Sequence, residues 1–197
     1  MGDDNRTRIL DLAVAAIDRG GEAEIRVNHI VAEVGVTPPV LYYHFGSRDG
    51  LVIAAQIERY TRQNKADIAV IAGAVRECGS EEELRTVLVG IWADSLALRS
   101  ENRWRRANVI GSAYARPELT AAWAGAQDEV VADLVDILES CRRRGWMRDG
   151  IDLTSTVAWH YSLLSGRIYI EHGTEQVNSV EWDRLTLEAL ERAFFGD

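Results

Sequence analysis

Residues 27–52 read VNHIVAEVGVTPPVLYYHFGSRDGLV, and the spacing within this stretch predicts two short helices joined by a tight turn. Val27, Ile30, Val31 and Val34 fall at i, i+3, i+4 and i+7, the stripe of a helix with one buried face. Gly35 follows, where an abrupt turn needs positive φ. Thr37 stands at a cap position. Pro38 suits a first helical position, where its missing N–H would have had no partner. Leu41 and Phe45 lie four apart and face inward. Gly46 closes this helix, and Ser47 caps a fourth that starts near Arg48 and is apolar at Leu51, Val52 and Ala55. Upstream, Ile9, Leu12, Ala13, Ala16 and Ile17 mark a first helix. Asp3, Asp4 and Asn5 favour its start, and Gly20-Gly21 ends it. Three short helices with a Gly-containing turn between the second and third form a helix-turn-helix pattern.

Such a unit packs its second helix on the third and turns the third helix's other face toward the DNA major groove. The seam here is Val31, Val34, Val36 and Leu41; the outward face holds Pro39, Val40 and Tyr43, flanked by Pro38, Tyr42 and His44. Tyrosine hydroxyls bond phosphates, histidine nitrogens reach base edges or phosphates, and Pro and Val press on thymine methyls. Thr37 and Arg48 stand at helix N-termini, where side chain and backbone N–H groups together hold phosphate. Spacing alone equally suits a small helical bundle in which Tyr42 to Phe45 form an aromatic core stripe.

The string itself resembles the DNA-binding region of the TetR family of one-component transcriptional regulators. The matching elements are Ile30, Gly35-Val36-Thr37, Leu41-Tyr42, His44-Phe45, Ser47-Arg48-Asp49 and Leu51, within residues 5 to 60. The resemblance implies an all-α homodimer that binds a palindromic double-stranded DNA operator through two recognition helices. It also implies a C-terminal domain that holds a small, largely apolar effector and releases DNA on binding it. Carried over position by position, phosphate contacts fall on Thr37, Tyr42 and Arg48, and base-reading positions on Pro38, Pro39, Val40, Tyr43 and His44. The chain departs from the family where Ile25-Arg26-Val27 replaces the Thr before the second helix, losing a cap worth about 1 kcal/mol. Arg26 offers a phosphate contact in its place. Pro39-Val40 replaces Gly-Thr, which shifts operator readout toward shape and methyl contacts.

Composition sets bounds on these readings. The 197 residues are 47% hydrophobic and 27% charged, a globular balance for one domain or two small ones. Lys and Arg number 22 against 31 Asp and Glu, a net charge of −9 whose long-range field opposes DNA. Residues 1–60 carry six Arg against nine acids, so Arg6, Arg8, Arg26 and Arg48 would have to cluster on one face. Only three prolines interrupt the chain, which predicts mostly helix. The MGDDNR start has no signal-peptide pattern, and the uncharged run between Asp152 and Arg167 is shorter than the roughly 20 residues of a membrane span. Cys78 and Cys141 read as buried small residues in a reduced, cytoplasmic protein. No H-E-x-x-H, G-x-S-x-G or P-loop string occurs, so neither an enzyme nor a metal or cofactor site is expected.

The remainder predicts longer helices, about nine in all, with no strand. Ser80-Glu81-Glu82-Glu83 is a capping box before Leu84, Val87, Leu88 and Ile91. A short segment spans Trp104 to Tyr114. Pro117 opens a long helix that closes with Arg142-Arg143-Arg144 and Gly145; Asp152 caps another to about Glu171, and a last runs from about Glu181 to Phe195. The domains are read as 1–50, helix-turn-helix, with helix four at about 48–65 connecting, and 51–197, effector binding and dimerisation. Trp92, Ser95, Trp104, Asn108, Trp123, Gln127, Trp159 and His160 are candidate pocket residues, each as compatible with core packing. Leu163, Gly166 and Ile170 form one stripe and Trp182, Leu185, Ala189, Ala193 and Phe194 another; they suit either a two-fold subunit contact or packing within the chain. The function expected is a ligand-responsive repressor. Its rival is an interaction module of the same shape that has lost specific DNA binding.

Overall fold

Apolar stripes at helical spacing, with few breakers between them, fold entirely as helices in the computed structural model, which describes residues 2–171 and 177–196. In order these are α1 (Gly2–Gly20), a 3-10 turn (Glu22–Glu24), α2 (Val27–Val34), α3 (Pro38–Phe45), α4 (Arg48–Glu77), α5 (Glu81–Leu98), α6 (Ser100–Ala113), α7 (Pro117–Arg143), α8 (Leu153–Gly166), the single turn α9 (Ile168–Glu171) and α10 (Ser179–Phe195). No strand occurs among the described residues.

The predicted stops and caps act where they stand. Gly35 adopts φ 79° and ψ 33°, and its N–H and that of Val36 both donate to the Val31 carbonyl, at 3.0 and 2.9 Å. A Cβ there would cost roughly 1–2 kcal/mol. Ser80 Oγ accepts from the Glu83 N–H at 3.2 Å, but the Glu83 carboxylate reaches back to Gly79 N–H at 2.7 Å rather than to Ser80. Asp152 caps α8 through the Ser155 N–H. Thr37 is the N-cap residue of α3 without a side-chain capping bond.

Three elements depart from the sequence reading, and a fourth extends it. α4, read as running to about Lys65 or beyond, continues to Glu77, because its second half carries no Pro and only one Gly. The short segment at Trp104 is a 14-residue helix that begins at Ser100. The helix expected from Asp152 to Glu171 stops at Gly166 and resumes as α9. α10 starts at Ser179, two residues early, because Asn178 Oδ1 accepts from the N–H groups of Val180 and Glu181 at 3.1 and 3.2 Å.

Backbone contacts divide the chain into two compact units, residues 1–63 with 109–126, and residues 64–108 with 127–197. The sequence placed one boundary in chain order, at residue 50, with helix four as an element that the two parts share. A cut at residue 63 and the inclusion of 109–126 depend on long-range packing that no linear boundary expresses. The first unit's core is Ile9, Ala13, Ile17, Ile25, Ile30, Val34, Leu41, Leu51 and Val52 with their neighbours, which join α1, α2, α3 and the start of α4. Leu41 is fully buried and Phe45 packs against this core from its edge. In the second unit, α10 packs on α5 and α8, burying Leu84, Leu88, Trp92, Leu96, Val157, Leu164, Leu190 and Phe194.

Candidate nucleic-acid interface and ligand cavity

The buried Leu41 fixes the roll of α3. Its other face is consequently outward: Tyr43 is 86% exposed and Tyr42 42%, with Thr37 and Pro39 also exposed and Pro38, Val40 and His44 half-buried. The side chains of Thr37, Tyr42, Tyr43 and His44 make no hydrogen bond among the described residues, although the His44 ring stands edge-on to Tyr43 at 5.2 Å. An aromatic core stripe is thereby excluded for Tyr42 and Tyr43. The start of α4 presses close to this helix. A Cβ on Gly50 would lie 2.0 Å from the Phe45 carbonyl oxygen, and the Gly50 N–H is capped by Ser47 Oγ at 2.9 Å.

The charges around α3 are arranged in ways the sequence count did not show. Arg48 donates from Nε to the Ile25 carbonyl at 3.1 Å and from Nη2 to that of Glu22 at 2.7 Å, bracing the turn before α2. Its Nη1 makes no hydrogen bond among the described residues. Arg26 is exposed and 3.8 Å from Glu24. The Arg6 guanidinium lies 5.4 Å from the Phe45 ring centre, beside the end of α3. Five acids of the unit pair elsewhere: Asp11 and Glu58 with Arg62, Asp18 with Arg59, and Asp49 and Glu22 with Arg116. Arg62 and Arg116 lie outside residues 1–60, so the acidic count of that span overstated the charge left unpaired.

Glu22 is a junction that sequence reasoning missed. Its carboxylate accepts from Ser112 Oγ at 2.6 Å, Gln56 Nε2 at 2.9 Å and Arg116. Burial pushes its acid up, but these donors outweigh burial and hold it below the usual carboxylate range. Partners 90 and 94 residues away leave no local signal.

The second unit holds a cavity of about 140 Å³. This is comparable to the roughly 150 Å³ engineered cavity that accepts benzene. Leu88, Trp92, Leu134, Leu138, Leu164 and Phe194 supply apolar wall, and Arg99, Arg103, Arg106, His160 and Tyr161 the polar side. Of the candidate pocket residues, Trp92, Ser95 and His160 line it. Trp104, Asn108, Gln127 and Trp159 do not; Trp104 and Trp159 are 47% and 42% exposed on outer faces of their helices. Trp123 belongs to the other unit. The missed residues are the arginines. Arg99, Arg103 and Arg106 recur at spacings of four and three, the signature of one helical face, and that pattern was the available signal.

Arg103 is nearly fully buried. It pairs with Glu171 and donates to the carbonyls of Ser95 and Leu96, closing the C-terminal end of α5. His160 is 8% exposed, and its Nδ1 lies 3.1 Å from the Val157 carbonyl, which assigns the proton to Nδ1. Burial, aided by the charge of Arg106, lowers its pKa to about 4 against the backbone bond that raises it. The folded chain thus takes up this proton later than the unfolded chain as pH falls. Stability should drop by about 2 kcal/mol between pH 7 and 5 through this group. Denaturant unfolding at the two pH values should show the drop in the parent chain and a smaller one in His160→Gln; equal drops would refute it.

The two candidate association stripes stay partly open in the single chain. On α10, Thr186, Leu190 and Phe194 turn inward, so Phe194 and its stripe neighbours divide between two faces. Leu185 is 53% exposed, and Trp182, Ala189 and Ala193 are half-buried. Leu163, Gly166 and Ile170 are half-buried too, and a Cβ on Gly166 would meet nothing within 4 Å. No described helix is long and apolar enough to cross a membrane.

Residues 9–55 match the family model for bacterial regulatory proteins of the tetR family. No curated protein matches the chain in sequence. Among solved structures, the chain is similar to a protein from Mesorhizobium loti described as a TetR-family transcriptional regulator, with 18% identity, a TM-score of 0.72, and 99% of this chain and 98% of that one covered. It is similar to a transcriptional regulator from Saccharomonospora viridis in complex with choline, with 19% identity, a TM-score of 0.64 and 98% of each chain covered. A third likeness is to the regulator FadR from Bacillus subtilis in complex with stearoyl-CoA, with 16% identity, a TM-score of 0.60, and 95% of this chain and 98% of that one covered. The amino-terminal helices therefore match the tetR-family model over residues 9–55, and the chain as a whole has the fold seen in solved TetR-family transcriptional regulators.

Proposed function

We propose that this chain is a cytoplasmic, effector-responsive transcriptional repressor that binds a palindromic operator as a homodimer and carries out no catalysis. The observation that carries the reading is the outward face of α3. A large aromatic, Tyr43, stands 86% exposed beside Pro39 and polar groups that make no hydrogen bond among the described residues, while Leu41 beneath them is locked in the core. Thr37, Tyr42, Arg26 and Nη1 of Arg48 hold phosphates; Pro38, Pro39, Val40, Tyr43 and His44 read bases. The cavity of the second unit, with ligands bound to two proteins of the same fold, supports an effector site. The effector acts by population shift: it binds better to a conformation whose two recognition helices are mis-spaced for major grooves about 34 Å apart.

Substitution separates the roles on α3. Tyr42→Phe and Arg26→Ala should weaken binding to operator and random duplex alike, by about 1 kcal/mol each. Tyr43→Ala and His44→Ala should instead change preference among sequences by about 1–3 kcal/mol per affected base pair. Fluorescence anisotropy against matched duplexes at several salt concentrations reads both. Equal effects of all four variants on both duplexes would overturn the assignment.

Leu163, Gly166 and Ile170 with Trp182, Leu185, Ala189 and Ala193 form the subunit contact in this reading. Gly166→Leu tests it. The added side chain meets open space within one chain. The variant should keep its helical content yet sediment as a monomer. A dimer of unchanged dissociation constant would remove α8 from the interface.

A further inference from the structure

Among the described residues, one arginine of the cavity has no anion beside it. Arg99 is paired with Asp67, and Arg103 with Glu171. Arg106 has only neutral partners: its Nη2 donates to Asn64 Oδ1 at 3.3 Å and to the Tyr161 hydroxyl oxygen at 3.1 Å, and its guanidinium lies 4.5 Å from the Tyr161 ring centre. Asn64 Oδ1 is shared with the Tyr161 hydroxyl, which donates to it at 2.6 Å. Nε and Nη1 of Arg106 make no hydrogen bond among the described residues, and no described carboxylate sits on this guanidinium. Asp94, the remaining acid of the lining, is exposed and keeps its hydration. A half-buried guanidinium with donors to spare and no described carboxylate on it is a site for an anionic oxygen.

A second observation points the same way without depending on charge. His160 is more than nine-tenths buried on the cavity wall, commits Nδ1 to a backbone carbonyl and leaves the Nε2 lone pair without a donor. A cavity of about 140 Å³ floored by Trp92, Leu138 and Phe194 has room for one ring or a short chain beyond the polar groups.

We infer that the cavity binds a small organic acid, with a carboxylate oxygen on Nη1 of Arg106, its apolar body against Trp92 and Phe194, and a hydrogen-bond donor of the ligand on Nε2 of His160. This deepens the proposed function and rests on its reading of the cavity as the effector site. Binding and regulation are nonetheless separate measurements.

The test is calorimetric titration of the full chain with phenylacetate, phenylacetamide and 2-phenylethylammonium, which share a body and differ in headgroup, and with the same three headgroups on a hexyl chain. An acid should bind about tenfold or more tightly than its amide, with the ammonium weakest. Arg106→Gln should erase the preference for the acid over its amide. Arg106→Lys, which keeps the charge without the fork, should retain part of it. Thermal melts identify a variant that fails to fold, and the Lys variant then carries the comparison. Amides or ammonium probes that equal the acids, no binding by any probe, or a preference that survives Arg106→Gln would each overturn the inference. Operator affinity is read in the same titrations. An acid that binds through Arg106 and leaves DNA affinity unchanged upholds the ligand class while removing the regulatory reading.

Discussion

Gly50→Ala should abolish operator binding and lower the unfolding free energy by about 2 kcal/mol or more. The reason is distance: the new methyl would lie 2.0 Å from the backbone oxygen of Phe45, the last residue of α3. No rotamer relieves a clash between Cβ and a carbonyl. Either α3 moves or the first turn of α4 unwinds, and the second outcome also breaks the Ser47 cap on the Gly50 N–H. Every residue proposed to touch DNA is still present in this variant; only the placement of their helix changes. Gly73→Ala, in the same helix, is the control, since its Cβ meets nothing within 4 Å and helix propensity favours it by up to about 1 kcal/mol. Chemical denaturation and DNA titration of the two variants should diverge. A Gly50→Ala protein as stable and as tight-binding as Gly73→Ala would mean that the junction does not position α3.

Arg103→Met should destabilise the second unit by about 3–5 kcal/mol. It removes the guanidinium from a pair whose side chains are 3% and 9% exposed, leaving the Glu171 carboxylate only Ser100 and the more distant Arg167, at 3.6 Å. It also leaves the Ser95 and Leu96 carbonyls at the end of α5 without their donor. The double variant Arg103→Met with Glu171→Met should recover much of the loss, because an uncompensated charge costs more than a missing pair. The pH dependence has a definite sign. Burial raises the Glu171 acid, but hydrogen bonds from Arg103 and Ser100 and the charge of Arg103 prevail and lower it. Stability from this group is therefore full above the ordinary carboxylate value and is lost as pH falls through the lowered one. Urea unfolding of Glu171→Gln should lack that loss. A single Arg103→Met variant within about 1 kcal/mol of the parent chain would show that the pair contributes no more than an exposed one.

How much of this was legible in the sequence depends on the range of the interaction. Val27, Ile30, Val31 and Val34 with Gly35, and Leu41 with Gly46, fix helices within eight residues of themselves, so α2, α3 and the roll of α3 could be read directly. The outward set from Thr37 to His44 followed from that roll. Asn178 was overlooked as a cap although its signal is local, which shifted the start of α10. Glu22 with Ser112 and Arg116, or Arg103 with Glu171, join residues 68 to 94 apart and had no local trace. The aromatics misled for another reason. Trp92 faces a cavity while Trp104 and Trp159 lie toward solvent, and helix faces in that region are assigned by tertiary packing rather than by hydrophobicity. The arginine spacing of α6 carried more information about the cavity than any tryptophan did.

The central claim is that α3 reads a specific DNA sequence in a two-fold arrangement. The purified chain, incubated with a pool of random duplexes at low salt, should select sequences that share a palindrome with half-site centres about one helical turn apart. Affinity for the enriched duplex should fall steeply with added salt, as phosphate contacts require. A folded dimer that enriches nothing, or enriches sequences with no two-fold relation, would contradict the account and leave an interaction module in which the exposed face of α3 meets a protein instead.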